Sequence, residues 1–82
     1  MFRTYVLYSK KFDKIYVGYS QHAYQRLVAL NDPRNREWPK SFQPWELLHI
    51  EVFKTKTEAL IREKQLISTR GRLYIRNDLL KS

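Results

Sequence analysis

The chain has no cysteine among its 82 residues. That excludes disulfide staples and any zinc site built on thiolates, and it is compatible with a cytoplasmic protein. No apolar run reaches the length of a membrane span, and the N-terminus reads straight into a strand, so no leader is expected. There are no internal repeats, no low-complexity tract and no linker. Glycine occurs only twice and proline three times. Acidic residues are scarce too: 8 Asp and Glu face 16 Lys and Arg, a net charge of +8. That imbalance points to a polyanionic partner, the bland alternative being a merely soluble basic surface. A membrane surface is disfavoured, because no basic amphipathic helix with a broad apolar face stands out. What is present is 43% apolar residue with 15% aromatic, enough for one small domain standing on its own core.

The stretch from Tyr5 to Arg26 organises the rest. Tyr5 to Ser9 and Lys14 to Ser20 are rich in aromatic and β-branched residues and read as two strands. Lys10-Lys11-Phe12-Asp13 between them is short enough for a hairpin loop. A four-residue loop sets Ser9 opposite Lys14, Leu7 opposite Tyr16 and Tyr5 opposite Gly18. Tyr5, Leu7, Lys14, Tyr16 and Gly18 then share one face, because side chains alternate along a strand. Glycine inside a strand weakens it unless something must come close to the backbone there.

Ser20 is a candidate N-cap for a helix from about Gln21 to Asn31. Its stripe is Ala23, Leu27 and Leu30, widened by Tyr24 and Val28. Arg26 falls about 60° from the stripe centre, at the boundary of core and solvent. Asn31-Asp32-Pro33 ends the helix. Arg34 to Pro44 is a basic loop with Arg34, Arg36 and Lys40 among Trp38 and Phe42. Cations for phosphates and flat rings for bases make it a candidate nucleic-acid surface. The alternative is a connection whose Trp38 and Phe42 tuck into the core. Trp45 to Phe53 is the third strand, with imperfect alternation, and His49 is expected to be a partly buried strand histidine. His22 is expected to be exposed.

Thr55 to Glu58 has capping-box spacing, and the helix it opens runs to about Ser68. Glu63 lies three or four residues from Ala59, Leu60, Leu66 and Ile67, so it shares their inward face. An ionised glutamate there needs a metal ion, a salt bridge or access to the rim. Glu58 and Arg62 read as an exposed pair. Thr69 to Arg72 reads as a turn and Leu73 to Leu80 as a last short helix. Arg70 and Arg72 add candidate nucleic-acid contacts.

With these residues in view, the chain resembles the GIY-YIG nuclease domain, in its small stand-alone bacterial form. Arg3-Thr4-Tyr5 stands where the family's first motif ends in tyrosine, with the glycine and isoleucine replaced. Tyr16-Val17-Gly18 followed by Tyr19-Ser20 is the second motif. Arg26 matches the arginine of the first helix, and Glu63 in Ala59 to Leu66 matches the glutamate of the later one. Pro44 to Leu48 and Gly71-Arg72 extend the likeness over nearly the whole chain.

The resemblance implies an α+β fold, a three-stranded antiparallel sheet flanked by about three helices in the order β-β-α-β-α-α. It implies metal-dependent hydrolysis of DNA phosphodiesters, in repair or recombination. In that scheme Glu63 holds one divalent cation, Mg²⁺ or Mn²⁺, with waters completing its shell. Arg26 binds the scissile phosphate, Tyr5 accepts or relays the proton of the attacking water, and Tyr16 orients that water. Gly18 leaves room for the phosphate. Free tyrosine titrates near pH ~10, and Lys14, on the same face, is expected to lower the value for Tyr5. Leu30 stands where many members carry a histidine or tyrosine. Asn31 beside it and Asn77 near the C-terminus are secondary polar candidates. The departure at Leu30 leaves two alternatives: a catalytically weak nucleic-acid-binding module, or an interaction domain whose Glu63 is only a salt-bridge partner. With no attached DNA-binding module, sequence choice would need a separate specificity protein.

Overall fold

The computed structural model describes residues 1–34 and 41–80. The elements are β1 (Phe2–Ser9), β2 (Lys14–Ser20), α1 (Ala23–Leu30), β3 (Glu46–Phe53), α2 (Lys56–Ile67) and α3 (Thr69–Tyr74). A wide π-helical turn, Ile75–Leu79, continues α3. The three strands form one antiparallel sheet in the order β2-β1-β3, so the expected fold is the observed one.

The hairpin register is the expected one: Ser9 faces Lys14, Leu7 faces Tyr16 and Tyr5 faces Gly18. Asp13 closes the loop at φ 52°, a left-handed value that a short polar side chain tolerates. Alternation along β1 then splits the core in two. Tyr5 and Leu7 face α1 with Ala23, Leu30 and Trp45, and half-buried Tyr16, Leu27 and Phe42 join them. Val6 faces the other way, onto Leu66 and Ile75, with Ile15 and Val17 beside it. The irregular alternation of β3 has a physical cause. The register slips between Val6 and Leu7, leaving an extra residue in β3, and the bulge sends Leu47 to the first cluster and Leu48 to the second.

Several local expectations need correction. Ser20 does not cap α1: its Oγ accepts from the His22 N–H at 2.9 Å, and the helix starts only at Ala23. Tyr24 and Val28 do not widen the apolar stripe, being 61% and 71% exposed, because α1 covers too little of the sheet to need them. Leu30 and Asn31 lock the helix end instead. The Asn31 side chain donates to the Trp45 carbonyl at 2.8 Å and accepts from the Trp45 N–H at 2.6 Å. Asn31 is thus a strut between α1 and β3, not a spare polar contact.

The capping box is present: Thr55 Oγ1 accepts from the Glu58 N–H at 3.2 Å and donates to the Glu58 carboxylate at 2.9 Å. With Glu58 so used, Arg62 pairs with Glu51 at 3.0 Å rather than with Glu58. Thr69 to Arg72 is not a turn but the body of α3. Ser68 breaks the chain between α2 and α3, its Oγ donating to the Gln65 carbonyl at 2.5 Å and accepting from the Gly71 N–H at 3.2 Å. Ser68→Ala would remove a cap of about 1 kcal/mol. Ala59 and Leu66 anchor α2 on the sheet, whereas Ile67 is 44% exposed. Thr4 Oγ1, fully buried, donates to the Ala59 carbonyl at 2.7 Å and ties β1 to the middle of α2.

Candidate active site

The site grows from one pairing. Gly18 lies opposite Tyr5, and the phenol of Tyr5 lies over it. A Cβ on Gly18 would sit 2.7 Å from Tyr5 Oη and 3.2 Å from Tyr16 Cε1. The expected hollow is therefore already filled: Gly18 makes room for the Tyr5 ring, not directly for a phosphate. Tyr5 is 2% exposed and stacks on Tyr16 with ring centroids 6.5 Å apart. Tyr16 leans in turn on Trp45, at 6.0 Å.

Burial pushes the Tyr5 phenol up to about 12, and Tyr16 adds to the shift. The guanidinium of Arg26 beside it works the other way, through charge and hydrogen bonding, and the Glu63 carboxylate raises it further. Three of the candidate residues bear on this phenol differently. Arg26 does stand at the core boundary and acts on the phenol. Glu63 acts on the same phenol, although the buried stripe of α2 lies against the opposite face of the sheet. Lys14 is not among the groups that move Tyr5; its ammonium sits 5.5 Å from the Phe42 ring centroid, a cation–π contact that draws it aside. The cationic neighbour of Tyr5 is Arg26.

Glu63 is half-buried, and burial holds its carboxyl above the usual range, Lys64 opposing the shift. Among the described residues it makes no ion pair and no hydrogen bond. A partly desolvated carboxylate without a partner is uncommon and suits a cation-binding role. No cluster of three or more His, Cys, Asp or Glu occurs among the described residues. A cation on Glu63 would thus have one protein carboxylate and water for the rest, which suits Mg²⁺.

The basic candidates scatter. The Arg34 side chain is 90% exposed and forks onto Asp32 at 2.9 Å. Arg36 and Lys40, with Trp38, lie outside the described residues. Phe42 packs on the first cluster, as the structural alternative for that loop foresaw. Arg70 and Arg72 are exposed on α3, where Arg72 Nε donates to the Ile67 carbonyl at 3.1 Å. Leu30, the position that departs from the family pattern, is wholly buried in the first cluster. His49 is half-buried and His22 exposed, as expected.

Two polar groupings escaped the sequence. His49 Nε2 and Glu51 are 2.8 Å apart, and Arg62 holds Glu51 from α2 while lying over the Tyr74 ring. Arg76 reaches Asp13 at 3.0 Å, across 63 positions of sequence. Alternation on β3 puts His49 and Glu51 on one face, but Arg62 on Glu51 and Arg76 on Asp13 are brought together only by the fold.

The sheet order β2-β1-β3 defines a small α+β domain with Tyr5 and Tyr16 on one face beside Arg26. The family model described as the GIY-YIG catalytic domain matches residues 1–76, and the chain belongs to that family. It is similar to UPF0213 proteins of several bacteria. It is 31% identical to one from Staphylococcus epidermidis over 82% of this chain and 76% of that protein. It is 35% identical to the UPF0213 protein YazA of Bacillus subtilis, over 73% of this chain and 64% of YazA. The match to a Staphylococcus saprophyticus relative, at 33% identity, covers 63% of each. The chain thus spans roughly two thirds to three quarters of these relatives. No solved structure matches it.

Proposed function

We propose that the chain, acting as one domain, is a metal-dependent endonuclease that hydrolyses DNA phosphodiesters in repair or recombination. The observation that carries this is the half-buried Glu63, without an ion pair among the described residues, whose charge bears on the same phenol that Arg26 abuts. Membership of the nuclease family and the net charge of +8 support a DNA substrate.

Glu63 would hold the cation, Mg²⁺ or Mn²⁺, which when bound supplies Lewis-acid stabilisation of the phosphate and the leaving oxygen. Arg26 binds the scissile phosphate and neutralises charge that grows as water attacks phosphorus. Tyr16 orients that water. Tyr5, held near 12, stays protonated at neutral pH. It therefore serves as a relay, giving its proton to one oxygen as it takes the proton of the water, rather than as a standing base. Lys14 steadies the aromatic wall through Phe42. The reading places the protein in the cytoplasm, with sequence choice supplied by a separate partner.

The test is nicking of supercoiled plasmid. Activity should require Mg²⁺ or Mn²⁺, vanish in Glu63→Gln, and fall about 10²–10³-fold in Arg26→Ala. A second reading has one observation in its favour: Leu30 is sealed in the core and offers no proton. On that reading the chain is a weakly catalytic DNA-binding module. Salt-sensitive binding that Glu63→Gln leaves intact, with no cleavage, would establish it.

A further inference from the structure

We propose that the groove between the free edge of β2 and the C-terminal helix seats the phosphate backbone of the substrate DNA. Arg72 and Arg76 are its contacts, and Asp13 is the anion that a phosphate displaces. This rests on the reading that DNA is the substrate.

The groove has a volume of about 440 Å³. Ile15, Val17 and Ile67 wall it, and Lys14, Arg72, Arg76 and Asp13 supply its charge. Tyr16 also lines it, from the β2 edge, while the Tyr16 ring packs with Tyr5 on the other face of the sheet. The arginines are held in ways that leave donors over. Arg72 uses Nε on the Ile67 carbonyl, and among the described residues its two terminal nitrogens bind nothing. Arg76 places Nη1 on the Asp13 carboxylate at 3.0 Å and Nη2 on the Asp13 carbonyl at 3.3 Å.

Asp13 is a standing anion inside this basic groove. The Tyr8 hydroxyl donates to it at 2.7 Å, and that bond, followed by Arg76, holds its carboxyl below the usual range. The Arg76–Asp13 pair is open to water, with side chains 46% and 65% exposed. Exposed pairs contribute little, and a forked arginine–phosphate contact is stronger, so exchange of carboxylate for phosphate is favourable. The occupant suggested by charge is therefore a polyanion. The net charge of +8 and the nuclease family favour a DNA strand over an acidic peptide added to the β2 edge.

The test is binding of a short fluorescent DNA duplex across a salt series, in the Glu63→Gln background so that the probe survives. Arg72→Ala and Arg76→Ala should each weaken binding about three- to tenfold and lower the salt slope by about one. Asp13→Asn should tighten binding several-fold. Arg72→Lys should keep the slope, and thermal melts check that each variant folds; Arg72→Ala is the cleaner variant, since Arg72 does not brace the hairpin loop. Unchanged affinity and slope in both alanine variants overturns the proposal. So does a labelled poly-glutamate peptide that needs both arginines while the duplex ignores them. Arginine-dependent binding without metal-dependent nicking leaves the groove standing and removes the hydrolytic reading. Nicking with arginine-independent binding does the reverse.

Discussion

The two glycines of the chain mark two regions built on different terms. At Gly18 the missing side chain makes room for another side chain, the phenol of Tyr5. At Gly71 it makes room for main chain: a Cβ there would sit 2.5 Å from Leu66 Cα and from the Leu66 carbonyl oxygen. The first region is aromatic and yields at the far end of a side chain. The second is the junction of α2 and α3, where backbone meets backbone and nothing yields. The same residue type thus serves an adjustable site in one place and a rigid joint in the other.

The largest effect should come at the joint. In Gly71→Ala the added methyl cannot be accommodated by a rotamer change, so α3 must lift from α2 and expose Ile75 and Leu66, both 1% exposed or less. A loss of about 3 kcal/mol or more is expected. Denaturant unfolding measures it, and melting should fall by about 12 °C or more. A loss below about 1 kcal/mol would erase the contrast between the two glycines.

Gly18→Ala should cost less in stability and more in function. The atoms in its way are Tyr5 Oη and Cζ, the end of a side chain, but Tyr16 confines that ring. About 1–2 kcal/mol is expected, with cleavage down about a hundredfold from the displaced phenol. Adding Tyr5→Phe removes the closest atom, so the double variant should recover part of the stability and none of the activity.

A third effect is confined to high pH. Tyr5 is raised to about 12 against about 10 for an exposed tyrosine. A folded value above the unfolded one means stability fully present below about pH 10 and lost as pH climbs through about 12. Unfolding free energy measured over that window should fall in the wild type and fall less in Tyr5→Phe. Phenolate absorbance should show a late-ionising tyrosine that Tyr5→Phe removes. If Tyr5 ionises with the exposed tyrosines, it is less buried than the pairing with Gly18 requires.

The sequence made the hairpin legible because its register follows from loop length and alternation, both local. Tyr5 opposite Gly18 and the capping box at Thr55 came through for that reason. The helix boundaries did not. Ser20 looks like a cap, but its hydroxyl is spent on His22 before the helix begins. Ser68, the residue just before the expected turn, starts a helix because its Oγ serves both helix ends. The family pattern pointed to Tyr5, Arg26 and Glu63, but not to how their charges act on one another. Which cation neighbours Tyr5 depends on Phe42 holding Lys14 aside, a contact across 28 positions that no periodicity encodes.

The smallest effect is the most discriminating between the two faces of the sheet. Burial raises the Glu63 carboxyl, so its folded value lies above its unfolded one. The favourable contribution is then present below the unfolded value and lost as pH rises through the folded one. At neutral pH the carboxylate is a mild liability, limited by the water that still reaches it. Glu63→Gln should therefore be neutral or stabilising by roughly a few tenths of a kcal/mol at pH 7, with the difference shrinking as pH falls toward 4. A structural ion pair predicts the opposite sign, since the glutamine would strand a cation. Mn²⁺ sharpens the comparison: it should raise the melting temperature of the wild type by mass action and leave Glu63→Gln unmoved. Stability lost at neutral pH together with an Mn²⁺ shift that survives the substitution would make Glu63 part of the α2 scaffold, and the chemistry would have to be sought elsewhere on the sheet.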